Sequence, residues 1–471
     1  MTAAATISEQ YAGFAHALRP LDMPPSVRAY AADLALDSTG IAFASTRYPF
    51  AASTAAALGA LSEGKGQATV IGRPAGLPFR DAALMNAVLV HGLDYDDTHV
   101  RGIVHVSASL WPCVMAMGER VGASGSAVLT AYIAGIEVAA RLGVAANNQF
   151  HQLGFHPTGV CGAFGCAIAS GLLLGLTPLQ LRHAQGIALS AASGSLEFVA
   201  EGAWTKRLNP GFAAVAGINA AYLAREDFVA PSRPYEGRDG LFNAYLGSRV
   251  TNADLPAATQ ALGTDWETLG VAVKPVAACH YALGIADAAT AIARDHRPAA
   301  EDIESVTALV PRATFPTLCE PWEKKRRPNT GYDAKFSLPY IVAAGLLKGR
   351  CDIGVFEDDA VRNEQVLALA DRVAYGEDLA SSFPKAFSGE VIVRMKDGQV
   401  LRQREESTRG GVDQRLSRRE IQDKFFENAE PVIGRKRAQA VAAAMEQLDE
   451  TRDFRELLGL LGGKRPVQSP A

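Results

Sequence analysis

The chain has 471 residues, of which 48% are hydrophobic and 20% charged, with a formal charge of −4. That length exceeds one simple core and predicts two domains. The acidic balance and the lack of any Lys/Arg stripe exclude nucleic acid as a partner, and the densest basic cluster, EKKRRP (323–328), reads as a solvated loop.

The N-terminal MTAAATISEQYAG has no basic start followed by an apolar core, so no secretory leader is expected. From residue 5 to about 265 the pattern is helical. PSVRAYAADLALDSTGIAFAS (25–45) and GSAVLTAYIAGIEVAARLGVAA (125–146) repeat apolar residues at three and four. The uncharged run GFHPTGVCGAFGCAIASGLLLGLTPLQ (154–180) resembles a membrane span in composition. Pro157 and Pro178 bracket only about 20 residues of it, and a buried helix is the better reading. TPLQLRHAQGIALSAAS (177–193) opens with a Thr cap and a proline at the first helical position.

Near 270 the texture changes. IESVTALVP (303–311) alternates like a strand, and GEVIVRMKDGQVLRQREE (389–406) is two strands around KDG. Between them SLPYIVAAGLLKG (337–349) reads as a helix. After about 410 SRREIQDKFFENAE and GRKRAQAVAAAMEQLDE return to helix. The expectation is a mainly α protein: a large all-helical domain (1–268), a smaller α+β domain (269–405), and C-terminal helices (406–471) that rejoin the first. A cleft between two such lobes is the default binding site. No internal repeat is visible, and the tail GGKRPVQSPA is expected to fray.

VHGLDYDDTHVRGIVHVSAS (90–109) concentrates three of the nine histidines and three aspartates in twenty positions. If the preceding helix runs on, His91, Asp94 and Thr98 share a face at its C-terminus, where acids oppose the helix dipole. A solvated helix end, a proton-transfer site and a metal site are the three readings. The histidine spacings of eight and six do not match a compact zinc set, and no metal is expected. In GFHPTG, His156 precedes a proline and must be extended or in a turn. The following helix could hold a carboxylate at its N-terminus, or the segment is a capped turn. Lys206 and Arg207 lie between Trp204 and a Pro-Gly turn, either gripping a carboxylate or forming a surface pair. At the junction Lys274 precedes Pro275, ahead of Cys279, His280 and Tyr281; a lysine there is either a desolvated acid–base group or a structural one. The six cysteines include no C-x-x-C, and Cys161 and Cys166 lack the third member of an iron–sulfur run. Reduced thiols in a cytoplasm are the expectation. With no G-x-G-x-x-G, Walker loop or G-x-S-x-G, neither a dinucleotide cofactor nor a hydrolase triad is supported.

HGLDYDDTH (91–99), GFHPTGVCGAFGCAIASGLLLGL (154–176), TKRLNPGFAAVAG (205–217), GRDGLF (237–242), KPVAACHY (274–281), AKFSLPYIVAAGLLKG (334–349) and DKFFENA (423–429), in this order, resemble the MmgE/PrpD family. That family includes 2-methylcitrate dehydratase, cis-aconitate decarboxylase and iminodisuccinate epimerase. The resemblance implies a large helical domain with a smaller α+β lid, a homodimer, and a site without metal or organic cofactor for small di- or tricarboxylates. By motif it implies His105, His156, Lys206, Lys274 and Asp94 as catalytic residues and Thr98 as substrate-binding; Arg207, His280 and Tyr281, which lie beside these motifs, are also expected to bind substrate. The chain departs from the pattern where many relatives carry arginine and a later histidine, having His280 and Leu283 instead. Histidine cannot grip a carboxylate bidentately as arginine does.

The shared chemistry is proton transfer beside a carboxylate, which needs cations and hydrogen bonds on the developing enediolate and a base near neutrality. The first expectation is a 2-methylcitrate-dehydratase-like hydro-lyase. Lys206 and Lys274 would bind carboxylates or move protons, His105 and His156 would act as base and acid, and Asp94 would orient a histidine. An iminodisuccinate-type epimerase is the rival, then a cis-aconitate-type decarboxylase, then a non-catalytic binding protein whose histidines and lysines do not converge.

Overall fold

The computed structural model describes residues 4–383 and 386–463, apart from the side chain of residue 200. The tail expected to fray lies outside the described residues from 464 onward. The chain forms two compact units. One runs to Gly92, resumes over Asp96–Ala272 and takes in the C-terminal residues from Ser417; the other comprises Leu93–Tyr95 and Val273–Leu416.

The first unit is helical. Its centre is three helices, Gly125–Ala145, Pro157–Leu173 and Leu208–Arg225, which approach backbone to backbone. A Cβ on Gly165 would lie 2.6 Å from the Gly135 carbonyl oxygen, and one on Gly217 would lie 2.4 Å from the Cys166 Cβ. No larger residue fits at either crossing without moving a helix. The glycine-studded run after Pro157 is therefore a packing device, and its residues are buried from Pro157 through Gly171. Among the described residues only Gly125–Ala145 is long and apolar enough to cross a membrane, and 89% of its apolar window is buried within the protein.

The Pro25–Ser45 helix has the bounds its periodicity predicts. The Arg418–Ile433 helix packs on it, started by a capping box in which the Ser417 hydroxyl accepts from the Glu420 N–H at 3.3 Å. Lys424 of that helix places Nζ 2.7 Å from Asp37 Oδ1, with both side chains buried. Between Asp227 and Gly270 the helical expectation holds only for Leu241–Leu246; the Pro- and Gly-rich sequence around it breaks into loops and short 3-10 turns. An unanticipated two-residue ladder, β1 (Thr98–His99) with β2 (Val271–Ala272), also belongs to this unit.

The second unit carries a four-stranded sheet of order β4-β3-β5-β6. β3 is Ile303–Val310, and β5 (Gly389–Met395) and β6 (Val400–Glu405) form the antiparallel hairpin expected around KDG. β4 (Val373–Glu377) pairs in parallel with β3 and has no clear sequence signal, being five residues of which one is glycine. The helices Leu283–His296 and Leu338–Lys348 pack on each other, the latter capped by Ser337, whose Oγ accepts from the Tyr340 N–H at 3.1 Å. Both boundaries differ from those expected. The unit starts at Val273 rather than 269 because Val271 and Ala272 are committed to β2. It runs on past 405 to Leu416 because the Val273 N–H donates to the Gly410 carbonyl at 3.0 Å. Gly410 has φ +82°, and a Cβ there would lie 2.0 Å from the Val273 oxygen.

Breaking a buried ion pair by removing one partner costs about 3–5 kcal/mol, because the other charge is stranded. Lys424→Ala is expected to destabilise the first unit by that amount in urea unfolding. Lys424→Met combined with Asp37→Asn is expected to lose much less.

Candidate active site

The helix Phe79–Val90 ends one residue before the acidic stretch, with His91 as its C-cap. It does not continue to place His91, Asp94 and Thr98 on one face. Gly92 interrupts it, Asp94 takes φ +53°, and Thr98 enters β1. Aspartate enters this left-handed conformation more readily than most residues.

Three histidines come together in the first unit. The ring centroids lie 4.9 Å apart for His91 and His105, 5.4 Å for His91 and His156, and 6.1 Å for His105 and His156. Each is a helix-end residue: His91 closes Phe79–Val90, His105 precedes Val106–Val121, and His156 precedes Pro157–Leu173 in extended conformation (φ −85°, ψ 104°). The two helix starts are tied, since the His105 N–H donates to Thr158 Oγ1 at 3.0 Å. Helix N-termini carry partial positive charge, so the cluster favours a bound anion.

Buried acids hold the rings. His91 Nδ1 lies 2.7 Å from Asp96 Oδ2, and His105 Nδ1 is 3.6 Å from the same oxygen. His105 Nδ1 donates to the Asp97 carbonyl at 2.8 Å and lies 3.1 Å from Thr98 Oγ1. The Asp97 carboxylate accepts from the Ser107 N–H at 3.2 Å and contacts the Ser107 hydroxyl, which contacts Tyr132 OH in turn. Burial pushes the Asp97 carboxyl up to about 8, with the negative charges of Asp96 and Asp37 adding to it and the Ser107 hydrogen bonds opposing. The third histidine of the stretch, His99, is a staple: Nδ1 accepts from the Gly102 N–H at 3.1 Å, and Nε2 donates to Glu267 at 2.8 Å. Burial resists ionisation of Glu267, but the hydrogen bonds from His99 and Arg101 outweigh it and hold the carboxyl at about 2.

Of the other expected site residues in this unit, Lys206 is buried in the turn Trp204–Arg207. Arg207 donates Nε to the Gly92 carbonyl at 2.8 Å, and its guanidinium lies 4.4 Å from the Phe50 ring centroid. It braces the corner behind His91. Thr98 contacts His105 and so orients the ring. In the second unit, Lys274 donates Nζ to both the carbonyl and Oδ1 of Asp94, each at 3.0 Å. Asp94, expected to orient a histidine, is thus bonded to a lysine, while the carboxylate on a histidine ring is its neighbour Asp96. His280 packs edge-on to Phe387 at 4.9 Å, and both its ring nitrogens are shielded without a hydrogen-bond partner among the described residues. Burial and nearby Lys274 push it down to about 3, Asp94 opposing, so the imidazole is neutral. Tyr281 stacks on Phe387 at 5.4 Å. Lys335 of KFSLPY, which the motif reading did not single out, is buried and donates to the Leu93 carbonyl.

The three clustered histidines could each offer one nitrogen to a metal ion, all within 4.8 Å of one another. Metal-bound imidazoles usually donate their other N–H to a carboxylate or carbonyl, as His91 and His105 are placed to do. His156 is not so placed: its Nδ1 faces the Asn209 amide nitrogen at 3.0 Å. The donor set fits proton chemistry better than a metal centre.

Residues 9–253 match the MmgE/PrpD N-terminal domain and residues 276–450 the MmgE/PrpD C-terminal domain. The chain belongs to the MmgE/PrpD family. Among curated relatives, it is 27% identical over 465 residues to the cis-aconitate decarboxylase-like protein oryM of Aspergillus oryzae, covering 95% of each chain. It is 28% identical to cis-aconitate decarboxylase of Mus musculus, over 97% of this chain and 94% of that one. With cis-aconitate decarboxylase of Aspergillus terreus it shares 27% identity over 95% and 94% respectively.

Asp97 binds its proton more tightly folded than unfolded, where a carboxyl titrates near 3.9. The stability it contributes is present below that value and lost as pH rises to about 8. Asp97→Asn removes this dependence. Its stability relative to wild type is expected to rise with pH, by up to about 1.4 kcal/mol per pH unit between those limits, in urea titrations at several pH values.

Proposed function

We propose that the protein is a lyase of the cis-aconitate-decarboxylase type, removing CO₂ from a small unsaturated tricarboxylate by acid–base catalysis without metal or organic cofactor. The observation that carries this reading is the convergence of three imidazoles at helix ends around the buried Asp96 carboxylate. A scaffold protein has no need of such an arrangement, and it supplies what the reaction requires. In a tricarboxylate of this kind one carboxylate sits on a carbon next to a double bond. Its C–C bond breaks, CO₂ leaves, and the released pair forms a new double bond. The old π pair takes a proton at the far carbon. A proton carrier near neutral pKa and donors for the carboxylate oxygens are therefore needed. Histidines supply the first; Lys206 and the helix starts at His105 and His156 suit the second. Lys274 keeps the carboxylate-binding or proton-transfer role that its motif implies.

Dehydration of a 2-methylcitrate-type hydroxy acid, the first expectation from the motifs, uses the same groups. The shared name of full-length relatives at 27–28% identity weights decarboxylation above it. An iminodisuccinate-type epimerase ranks third, because no observation favours proton return on a second face.

Proton NMR in D₂O, with cis-aconitate, 2-methylcitrate, citrate and both enantiomers of iminodisuccinate, tests the reading. The expected outcome is loss of cis-aconitate with a new terminal alkene and one deuterium on the adjoining methylene. An alkene from a hydroxy acid instead would make it a dehydratase. Deuterium exchange with loss of optical purity and no alkene would make it an epimerase. Inertness of folded protein toward all five would overturn the proposal.

A further inference from the structure

The three clustered histidines have different hydrogen-bond partners on Nδ1, and the partners dictate where each proton sits. A backbone carbonyl can only accept, so the Asp97 oxygen at 2.8 Å puts the neutral His105 proton on Nδ1 and the lone pair on Nε2. The Asp96 carboxylate does the same for His91. An amide NH₂ can only donate. Asn209 Nδ2 lies 3.0 Å from His156 Nδ1 and 3.3 Å from the Ser195 carbonyl oxygen. The Ser195 oxygen fixes which way the amide faces, because the amide oxygen in that place would meet another acceptor. Ser195 is itself anchored to the His156 segment: Phe155 and Ser195 bridge antiparallel, and the His156 N–H donates to the Gly194 carbonyl at 3.0 Å. His156 Nδ1 therefore holds a lone pair, and its proton is on Nε2.

We infer that Asn209 is a positioning residue that locks His156 in the Nε2–H form as a permanently neutral hydrogen-bond donor, leaving proton transfer to His105. This rests on the acid–base reading above and replaces the expectation that His156 is the acid. Protonating His156 at Nδ1 would set N–H against the Asn209 N–H, at the start of a 17-residue helix whose dipole already disfavours a cation. The titratable groups that face His156 include His91 and His105, with Asp96 beyond them; Phe198 lies edge-on at 5.6 Å. His105 also stands at a helix start, but it differs in its Nδ1 partner, its exposure and its nearby carboxylate. Its Nε2 has the lone pair, its side chain is 13% exposed, and Asp96 3.6 Å from Nδ1 steadies its imidazolium. In the decarboxylation, the His105 imidazolium gives its Nε2 proton to the alkene carbon as CO₂ departs, and water restores that proton afterwards. His156 gives up no proton; its Nε2–H bonds the carboxylate oxygen on which charge accumulates, as a neutral imidazole can.

The test uses the full chain labelled with ¹⁵N-histidine, the His156 signals being assigned by their loss in His156→Gln. Across about pH 5 to 8, where ordinary histidines titrate, His156 is expected to keep a protonated-type Nε2 and a lone-pair-type Nδ1 while His105 titrates. A His156 that titrates in this range, or carries its proton on Nδ1, overturns the inference. In Asn209→Asp the new carboxylate accepts from Nδ1, so His156 is expected to become titratable. For whichever substrate the wild type turns over, the alkaline limb that His105 already gives kcat then steepens from about tenfold to about a hundredfold per pH unit, because both rings must be protonated. Wild-type ¹⁵N shifts and pH profile in that variant would also refute the role. The wild-type spectra need neither turnover nor the variant's folding, so failure of the functional reading and failure of this one are separable.

Discussion

A carboxylate with no exposure to water, Asp96, lies between two imidazoles, and the geometry of the first unit's polar centre follows from it. A buried charge is costly unless paired and hydrogen-bonded, so the site around Asp96 has to deliver partners: His91 Nδ1 donates to it at 2.7 Å, and the His105 ring lies 3.6 Å away, near enough to pair with it when protonated. Both are brought in at helix ends, where a residue is released from helical geometry and its ring can turn toward the acid. The neighbouring acid, Asp97, meets the same burial differently. Its carbonyl orients His105 while its carboxyl is absorbed into a hydroxyl chain with Ser107 and Tyr132. Adjacent aspartates thus do different work: one faces the imidazoles, the other secures the start of the next helix.

The same nine residues, HGLDYDDTH, also divide between the two compact units, with Leu93–Tyr95 in the second. The left-handed turn at Asp94 makes this possible. It delivers Asp94 to Lys274 and lets the chain resume at Asp96. One short segment therefore contributes to the polar groups of each unit.

Much of this was legible in the sequence where a rule is local. Period, caps and turns located Pro25–Ser45, the Ser417 and Ser337 starts and the β5–β6 hairpin, because each depends on residues a few positions apart. The motifs named His105 and His156, which the fold brings together. What was not legible depends on partners distant in sequence. Nothing in DYDD says that the first acid faces a lysine 180 residues on and the second a histidine five residues back. Asn209 sits three residues after Lys206, and its role emerges only when Ser195 and His156 are adjacent in space. β4 carries no signal because its five residues run buried, exposed, half-buried, half-buried, exposed, without a period of two, and the return at Leu416 carries none because it rests on a backbone pairing with Val273.

The cysteines have a consequence of another kind. All six are buried, three of them (Cys113, Cys161 and Cys166) in the helical unit and three (Cys279, Cys319 and Cys351) in the other. Burial also raises the thiols of Cys161 and Cys319 well above their ordinary range, so little thiolate is present to react. The intact molecule is therefore close to silent toward alkylating reagents, and each modification event records an excursion from the native packing. Because the sulfurs are split evenly between the units, peptide-resolved labelling rates give two independent clocks on one chain, and their ratio reads how far the units breathe separately.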